Sequence, residues 1–136
     1  MSQKLNISCS KDNLKNIRDF VSKSLDPYHL DEVELNNIIL AVDEVCANLI
    51  IHSHACNPDD SFDLVISPAH SGILFEFIDH GVGFDIARYE SPPLSEIVRQ
   101  GKKGGVGLLL VRKIMDDIRF ENEGSKCVCR LFKKIR

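Results

Sequence analysis

The stretch AVDEVCANLIIHSH, residues 41–54, sets the fold class of this chain and raises its first functional question. Its aliphatic residues recur at helical spacing, yet the carboxylate Glu44 and the carboxamide Asn48 lie one turn apart on the same side. Extended upstream, this helix would have an apolar face made of Leu35, Ile38, Ile39, Val42, Cys46 and Leu49. The opposite face would hold Asn37, Ala41, Glu44, Asn48 and His52.

That second face is either a solvated surface or a site at which Glu44 and Asn48 act together. Magnesium keeps most of its waters and binds through one or two side-chain oxygens together with substrate phosphates. A carboxylate and an amide oxygen one turn apart can converge on such a hydrated cation. A nearby carboxylate can also act as a base toward an attacking hydroxyl or water.

The composition is that of one globular domain spanning residues 1–136. Of the 136 residues, 43% are hydrophobic and 27% are charged, so the chain is long and apolar enough to bury a core. A net charge of -3 gives no reason to expect nucleic acid or a membrane surface as a partner. The N-terminus lacks signal-peptide features, and the five cysteines form no CxxC pair. We therefore expect a cytoplasmic protein with reduced thiols.

The periodicity predicts the element order β-α-α-β-β-loop-α-β-β. Asp12 and Asp31 are the expected N-caps of the first two helices, and the closing hairpin should turn at Gly124. The predicted segments are a strand at 4–9, helices at 11–25 and 31–54, strands at 61–68 and 72–79, a loop at 80–105, a helix at 106–118 and a hairpin at 119–132. We therefore predict an α+β two-layer sandwich, with helices on one face of a mostly antiparallel sheet.

The long loop begins with glycine-rich sequence. Connections of this length in compact domains are usually lids or binding loops. In DHGVGFD (79–85), Asp79 ends an apolar strand, where its carboxylate can accept a hydrogen bond from an exocyclic amine. Gly81 and Gly83 permit a close approach of the backbone to a ligand. Taken alone, the pattern is also consistent with a simple glycine-rich turn.

The loop ends with a second glycine-rich sequence, KKGGVGL (102–108), directly before a predicted helix. Free backbone N–H groups and the positive end of the helix dipole can hold phosphates there. The sequence is neither a Walker A loop, which would need Gly-Lys-Ser/Thr, nor a dinucleotide fingerprint, because Leu110 stands at the third glycine position. Alone, it would also suit a flexible hinge.

Together these three elements resemble one known family. DEVCAN resembles the N box of the GHKL ATPase superfamily, DHGVG its first glycine box and GGVGL its second, separated by an ATP lid at about 84–104. Within the superfamily the chain is most similar to bacterial anti-sigma factor serine kinases of the RsbW and SpoIIAB type. The resemblance implies the GHKL, or Bergerat-type, fold over nearly the whole chain.

The resemblance also implies ATP and Mg²⁺ as cofactors and a role for each candidate residue. Glu44 would be the general base toward a substrate serine, Asn48 the Mg²⁺ ligand, and Asp79 the acceptor for the adenine amino group. Gly81 and Gly83 would line the adenine pocket. The phosphates would be held by Lys103, Gly104, Gly105, Val106, Gly107 and Leu108, with Gly104 also a hinge of the lid.

Two positions depart from the family pattern. Many members place a small hydroxyl residue near adenine in the last hairpin, and here Cys127, or Ser125 in another register, stands in its place. His54 stands where an aromatic residue is common, and we assign no function to it. Cys127 and Cys129 would point to the same side of a strand, but two thiolates without partners make a poor zinc site.

The resemblance implies an anti-sigma factor that uses ATP to phosphorylate a STAS-type anti-sigma antagonist and that sequesters a sigma factor. Family members can also form homodimers. Two alternatives stay open: an ATP-binding switch module without phosphoryl transfer, and a detached histidine-kinase catalytic domain. Glu44 favours a kinase over a switch, because binding alone needs no base beside the terminal phosphate.

Overall fold

The described part of the chain has the predicted order of strands and helices. The structure, a computed structural model, describes residues 2–80, 103–124 and 126–135. The strands are β1 (Gln3–Ser8), β2 (Ser61–Ala69), β3 (Gly72–Asp79), β4 (Asp117–Glu123) and β5 (Lys126–Lys134). The helices are α1 (Leu14–Leu25), α2 (Glu32–Ala47) and α3 (Lys103–Ile114), with short 3₁₀ turns at Lys11–Asn13 and Asp26–Tyr28 and a π-helical turn at Asn48–Ser53.

The strands form one antiparallel sheet in the order β1-β2-β3-β5-β4. Alternate residues of the central strands, among them Leu64, Phe75 and Phe77, are buried, as expected for a sheet covered on one face. The buried residues of the helices join the same core, including Ile17 of α1 and Ile38 of α2. The predicted α+β two-layer fold is confirmed.

Side-chain caps mark the start of the 3₁₀ turn before α1 and the start of α2, whereas α1 itself follows Asn13 without a side-chain cap. The hydroxyl oxygen of Ser10 accepts a hydrogen bond from the Asp12 N–H at 3.3 Å, so the prediction that Asp12 is the cap was wrong. Ser10 has the extended backbone that a cap requires, whereas Asp12 already lies inside the turn. The second cap is confirmed, since a carboxylate oxygen of Asp31 accepts from the Glu34 N–H at 2.7 Å.

The third helix begins and ends earlier than predicted. It runs from Lys103 to Ile114 and not over 106–118. The sheet accounts for its end: the Asp116 N–H donates to the Phe132 carbonyl at 2.8 Å, and an Asp116 carboxylate oxygen accepts from the Lys134 N–H at 2.7 Å. Because Asp116 is hydrogen-bonded to β5, the chain leaves the helix at this point. The following residues form β4 and not a fourth helical turn.

Helix α2 is buried over more of its circumference than its sequence suggests. It packs against α1 and against α3. Ala41, predicted to lie on the polar face, is fully buried, and so is Val45. The solvated-surface interpretation of this face is therefore wrong for the part that includes Ala41. None of the described helices combines the length and apolar character that crossing a bilayer requires.

Candidate functional site

Asn48 lies where α2 changes from α-helical to π-helical winding. Its backbone N–H donates to the carbonyls of Glu44 and Val45, and its side-chain Nδ2 donates to the Glu44 carbonyl at 2.9 Å. The side chain is largely buried, with Asn48 only 6% exposed. This bond uses the amide nitrogen and leaves the carboxamide oxygen as the acceptor. One fixed side-chain oxygen fits the few protein ligands that Mg²⁺ takes. Single π-helical turns are frequent at functional sites.

Glu44 lies one turn before Asn48 and is partly buried. Burial raises the pKa of its carboxyl above the ordinary value, and the negative charge of neighbouring Asp43 raises it further. A carboxylate with a raised pKa is a better proton acceptor near neutral pH than an ordinary glutamate. The predicted base and the predicted metal ligand are therefore held together on α2, in an environment suited to proton transfer.

Asp43 adds negative charge beside this pair. Its Oδ1 lies 3.8 Å from the Arg18 guanidinium of α1. Burial raises the pKa of the Asp43 carboxyl, and the Arg18 charge opposes that rise. The same Oδ1 is buried without a hydrogen-bond partner among the described residues. The Asp43–Arg18 ion pair thus links α1 to the start of the candidate site.

Asp79 is the last residue of β3 and is fully buried. Its Oδ2 lies 2.7 Å from Nε2 of His54. His54 directly follows the π-helical turn that begins at Asn48. The other ring nitrogen of His54, Nδ1, lies 2.9 Å from Asp60 Oδ2. Sequence reasoning assigned His54 no role. No local pattern could have found it, because its partner at position 79 lies 25 residues further along the chain.

Cys127 lies beside Asp79 in the sheet. The two residues are directly opposite in the β3–β5 register, so their side chains project on the same face. The Cys127 thiol donates to Asn122 Oδ1 at 2.9 Å. Cys127 is thus a neighbour of Asp79 in the sheet, whereas Ser125 lies outside the described residues, so the choice between them as the equivalent of the family's hydroxyl residue stays a prediction.

The predicted phosphate-binding segment is described only by its backbone. Residues 103–108, which include Lys103, Gly104, Gly105, Val106, Gly107 and Leu108, form the first turns of α3 and not a loop ahead of it. Helix α3 packs against α2, which carries Glu44 and Asn48. Gly81, Gly83 and most of the predicted lid lie outside the described residues. Their predicted roles stay predictions.

The order of these elements and the placement of Glu44, Asn48 and Asp79 can be compared with known proteins. Residues 7–131 match the model of the histidine kinase-like ATPase domain family. This chain belongs to that family. The match begins at the end of β1, includes α1 to α3 and β2 to β4, and ends within β5. It confirms the resemblance to the GHKL superfamily that the three sequence boxes indicated.

Curated relatives of this histidine kinase-like ATPase domain are identical to it at 26–29% of the aligned residues. An anti-sigma F factor from Priestia megaterium is 29% identical over 90 residues, which cover 65% of this chain and 61% of that protein. The serine-protein kinase RsbW from Bacillus subtilis (strain 168) is 26% identical over 105 residues, which cover 74% of this chain and 64% of that kinase. The chain thus spans about three fifths of the length of these relatives. Their names agree with the RsbW and SpoIIAB type that the sequence resembles.

A solved structure has the same fold. The crystal structure of the RsbU and RsbW domains of Rv1364c from Mycobacterium tuberculosis superimposes with a TM-score of 0.68 at 12% sequence identity. The superposition covers 98% of this chain and 32% of that one. At this identity the likeness concerns the fold alone.

In the described part of this chain, no cluster of three or more His, Cys, Asp or Glu side chains is arranged to hold a metal ion.

Proposed function

We propose that this protein is an ATP-dependent protein serine kinase that also acts as an anti-sigma factor. The observation that carries the proposal is the Glu44–Asn48 pair. A partly buried carboxyl with a raised pKa lies one helical turn from a buried carboxamide whose nitrogen is already bonded. Nucleotide binding alone gives no reason to place a base there, whereas phosphoryl transfer to a serine hydroxyl does.

Each candidate residue then has a chemical task. Glu44 accepts the proton of the substrate serine as its oxygen attacks the terminal phosphate of ATP, and ADP departs as the leaving group. Asn48 would hold Mg²⁺ through its side-chain oxygen, and the ion would supply positive charge that neutralises the phosphates. Asp79 accepts a hydrogen bond from the adenine amino group. The first turn of α3, from Lys103 to Val106, donates its free backbone N–H groups to the phosphates, and Gly107 and Leu108 continue the same segment.

The substrate is proposed to be a small STAS-type antagonist, and the second partner a sigma factor. The relatives' names, anti-sigma F factor and serine-protein kinase RsbW, support both partners. In this proposal the substrate docks as a folded protein and presents one serine to Glu44. We further propose that the protein acts in the cytoplasm and can form a homodimer.

Charge supplies a reason for product release. A phosphoserine carries about -1.5 to -2 charges near neutral pH. It would form beside Glu44 and close to Asp43, whose negative charge already raises the Glu44 pKa. We expect this repulsion to weaken binding of the phosphorylated antagonist and to free the surface for the sigma factor. A serine-to-aspartate antagonist should bind weakly for the same reason.

The test combines this protein, labelled ATP and STAS-domain proteins from the same cell. We expect one STAS protein to acquire phosphoserine, and a sigma factor to be retained on the immobilised kinase until unmodified antagonist is added. Glu44→Gln is the matched control for transfer. If no STAS protein is phosphorylated and no sigma factor is retained, while ATP still binds, the protein is a nucleotide-binding switch and the kinase proposal is refuted.

A further inference from the structure

His54 joins two carboxylates across the end of the candidate adenine site. Its Nε2 lies 2.7 Å from Asp79 Oδ2, and its Nδ1 lies 2.9 Å from Asp60 Oδ2. His54 is 5% exposed and Asp79 is fully buried. The three side chains therefore form a continuous hydrogen-bonded chain from the partly exposed Asp60 to the interior.

The geometry sets the charge of the imidazole. An ionised carboxylate can only accept hydrogen bonds, and a neutral imidazole carries a single N–H donor. Both ring nitrogens of His54 face carboxylate oxygens, so both bonds form only when each nitrogen carries a proton. Imidazole is also the stronger base, with a reference pKa of about 6.5 against about 3.9 for aspartate. The proton therefore resides on the ring.

The electrostatic surroundings agree with this assignment. Burial lowers the pKa of His54, but hydrogen bonds to Asp60 and Asp79, together with their negative charges, outweigh burial and raise the pKa above its ordinary value. Other titratable groups near these side chains include the thiols of Cys9, Cys56 and Cys127, the last directly opposite Asp79 in the β3–β5 register. Burial, and then the charges of Asp79 and Asp60, raise the pKa of the Cys9 thiol to about 11. That thiol stays neutral and does not compete as a counter-charge.

The backbone holds His54 in place. The His54 N–H donates to the Leu49 carbonyl at 3.0 Å, in the π-helical turn that begins at Asn48. Beyond it, Ala55 and Cys56 adopt positive φ angles of 51° and 59°, a conformation that costs non-glycine residues energy. Asp60 is tied in turn to β1, because the Cys9 N–H donates to its carbonyl at 2.9 Å. These hydrogen bonds fix the backbone at His54 and at Asp60, the two ends of the segment that carries the pair.

We infer that His54 is a positioning residue for adenine recognition: as an imidazolium it donates to the buried Asp79 carboxylate and holds it in one orientation. The inference rests on the proposed function for the identity of the nucleotide. An ion buried without a partner is costly, and a paired, hydrogen-bonded one is tolerated. One Asp79 oxygen accepts from His54, and the carboxylate oriented in this way is the proposed acceptor for the exocyclic amine of adenine. His54 also couples this pocket to Asn48, since both lie in or directly after the same π-helical turn.

The first test needs no nucleotide. In ¹⁵N-histidine-labelled protein, NMR should show both ring nitrogens of His54 protonated at pH 7.5, with a titration midpoint above the reference histidine value of about 6.5. Asp60→Asn should lower this midpoint because it removes one of the two negative partners. A neutral His54 at pH 7.5, or a midpoint unchanged by Asp60→Asn, would overturn the inference.

The second test measures ATP and GTP affinity by calorimetry for His54→Gln, His54→Phe and the control His70→Gln. His70 is exposed in the β2–β3 turn, far along the strands from Asp79. We expect at least about tenfold weaker ATP binding for both His54 variants, since a hydrogen bond to a charged group contributes about 1.5–3 kcal/mol. The preference for ATP over GTP should shrink, while His70→Gln binds as the wild type does.

A pH profile separates positioning from simple structural support. The ATP affinity of the wild type should fall as pH rises through the His54 titration, and that of His54→Gln should not depend on pH over the same range. His54→Gln keeps an N–H donor, so it covers the case in which His54→Phe fails to fold. Wild-type ATP binding by both variants would overturn the inference. If ATP binding depends on His54 but no STAS protein is phosphorylated, the inference stands and the kinase proposal fails.

Discussion

Asn48 donates two hydrogen bonds to the carbonyl of Glu44, one from its backbone N–H and one from its side-chain Nδ2 at 2.9 Å. The residue proposed to hold Mg²⁺ is thereby fixed to the residue proposed to accept the serine proton. A site on a rigid helix keeps such a separation better than one on a loop. The two residues nevertheless have separable tasks, and mutations should distinguish them.

Glu44→Gln should separate binding from chemistry. The variant keeps the shape of the side chain and should bind Mg-ATP with wild-type affinity, but phosphoryl transfer should fall by about 10²–10⁴-fold because base catalysis is lost. Single-turnover transfer of labelled phosphate, measured beside calorimetry, checks both halves. A normal transfer rate in this variant would remove Glu44 from the reaction.

The same variant should also be more stable than the wild type. Burial raises the pKa of Glu44, so the folded state favours the protonated form, and ionisation costs stability at pH values above the folded-state pKa. Removing the charge removes that cost. Thermal unfolding of Glu44→Gln and wild type should therefore differ at pH 7 and converge as the pH falls and Glu44 protonates. A less stable variant at pH 7 would contradict the proposed burial cost.

Asn48→Ala should abolish magnesium-dependent nucleotide binding. The substitution removes the proposed ligand oxygen together with one hydrogen bond, whose loss should cost about 1 kcal/mol of stability. The protein should stay folded, as circular dichroism would show. Asn16→Ala is the matched control, because exposed Asn16 bonds only to nearby Asn13 among the described residues. Equal effects of Mg²⁺ on ATP binding by wild type and Asn48→Ala would exclude Asn48 as its ligand.

Asp79→Asn should reduce the preference for adenine over guanine nucleotides more than it affects the stability of the fold. A carboxamide can present a donor where the carboxylate only accepts, so the preference for adenine over guanine should decrease. We expect ATP affinity to drop by at least about tenfold, in line with about 1.5–3 kcal/mol for a charge-assisted bond. The control is Asp59→Asn, at an exposed position in the turn before β2. Equal affinity of the wild type for ATP and GTP would refute the adenine pocket.

The hydrogen bonds of His54 to Asp60 and Asp79 predict that the stability of the protein depends on pH. The folded-state pKa of His54 is raised above its unfolded value, so its contribution is fully present below about pH 6.5, the reference pKa. It should be lost as the pH rises through the folded-state pKa. Urea unfolding of the wild type should show this decrease, and His54→Gln should lack it. Parallel curves for the two proteins would contradict the ion pair.

Gly72 should be intolerant of a side chain. A Cβ at this position would overlap the Lys133 carbonyl oxygen and lie within 2.8 Å of the Phe132 ring. Because the carbonyl belongs to the paired strand β5, it cannot move away without breaking the ladder. Gly72→Ala should lower the free energy of unfolding by about 1–3 kcal/mol. Gly124→Asn is the control: its φ of 67° suits asparagine, and its surroundings are open.

Local patterns in the sequence predicted much of this fold. The alternation in β2 and β3 gave the hairpin, Asp31 gave the start of α2, and Gly124 marked the last turn. These features depend on residues close together in the chain, so a single sequence carries them. The pairing of Glu44 with Asn48 was visible for the same reason, since the two are four residues apart on one helix.

Tertiary packing decided what spacing could not. Ala41 is buried because α2 lies between α1 and α3, and α3 ends at Ile114 because Asp116 is bonded to β5. His54 shows the limit most clearly. The sequence alone supplied the three boxes of a nucleotide site, the helix that carries Glu44 and Asn48, and the carboxylate at the end of β3. Only the fold brought His54 within 2.7 Å of that carboxylate. The charge of a buried group depends on neighbours that are distant in the chain, and those neighbours are assigned when the helix packs on the sheet.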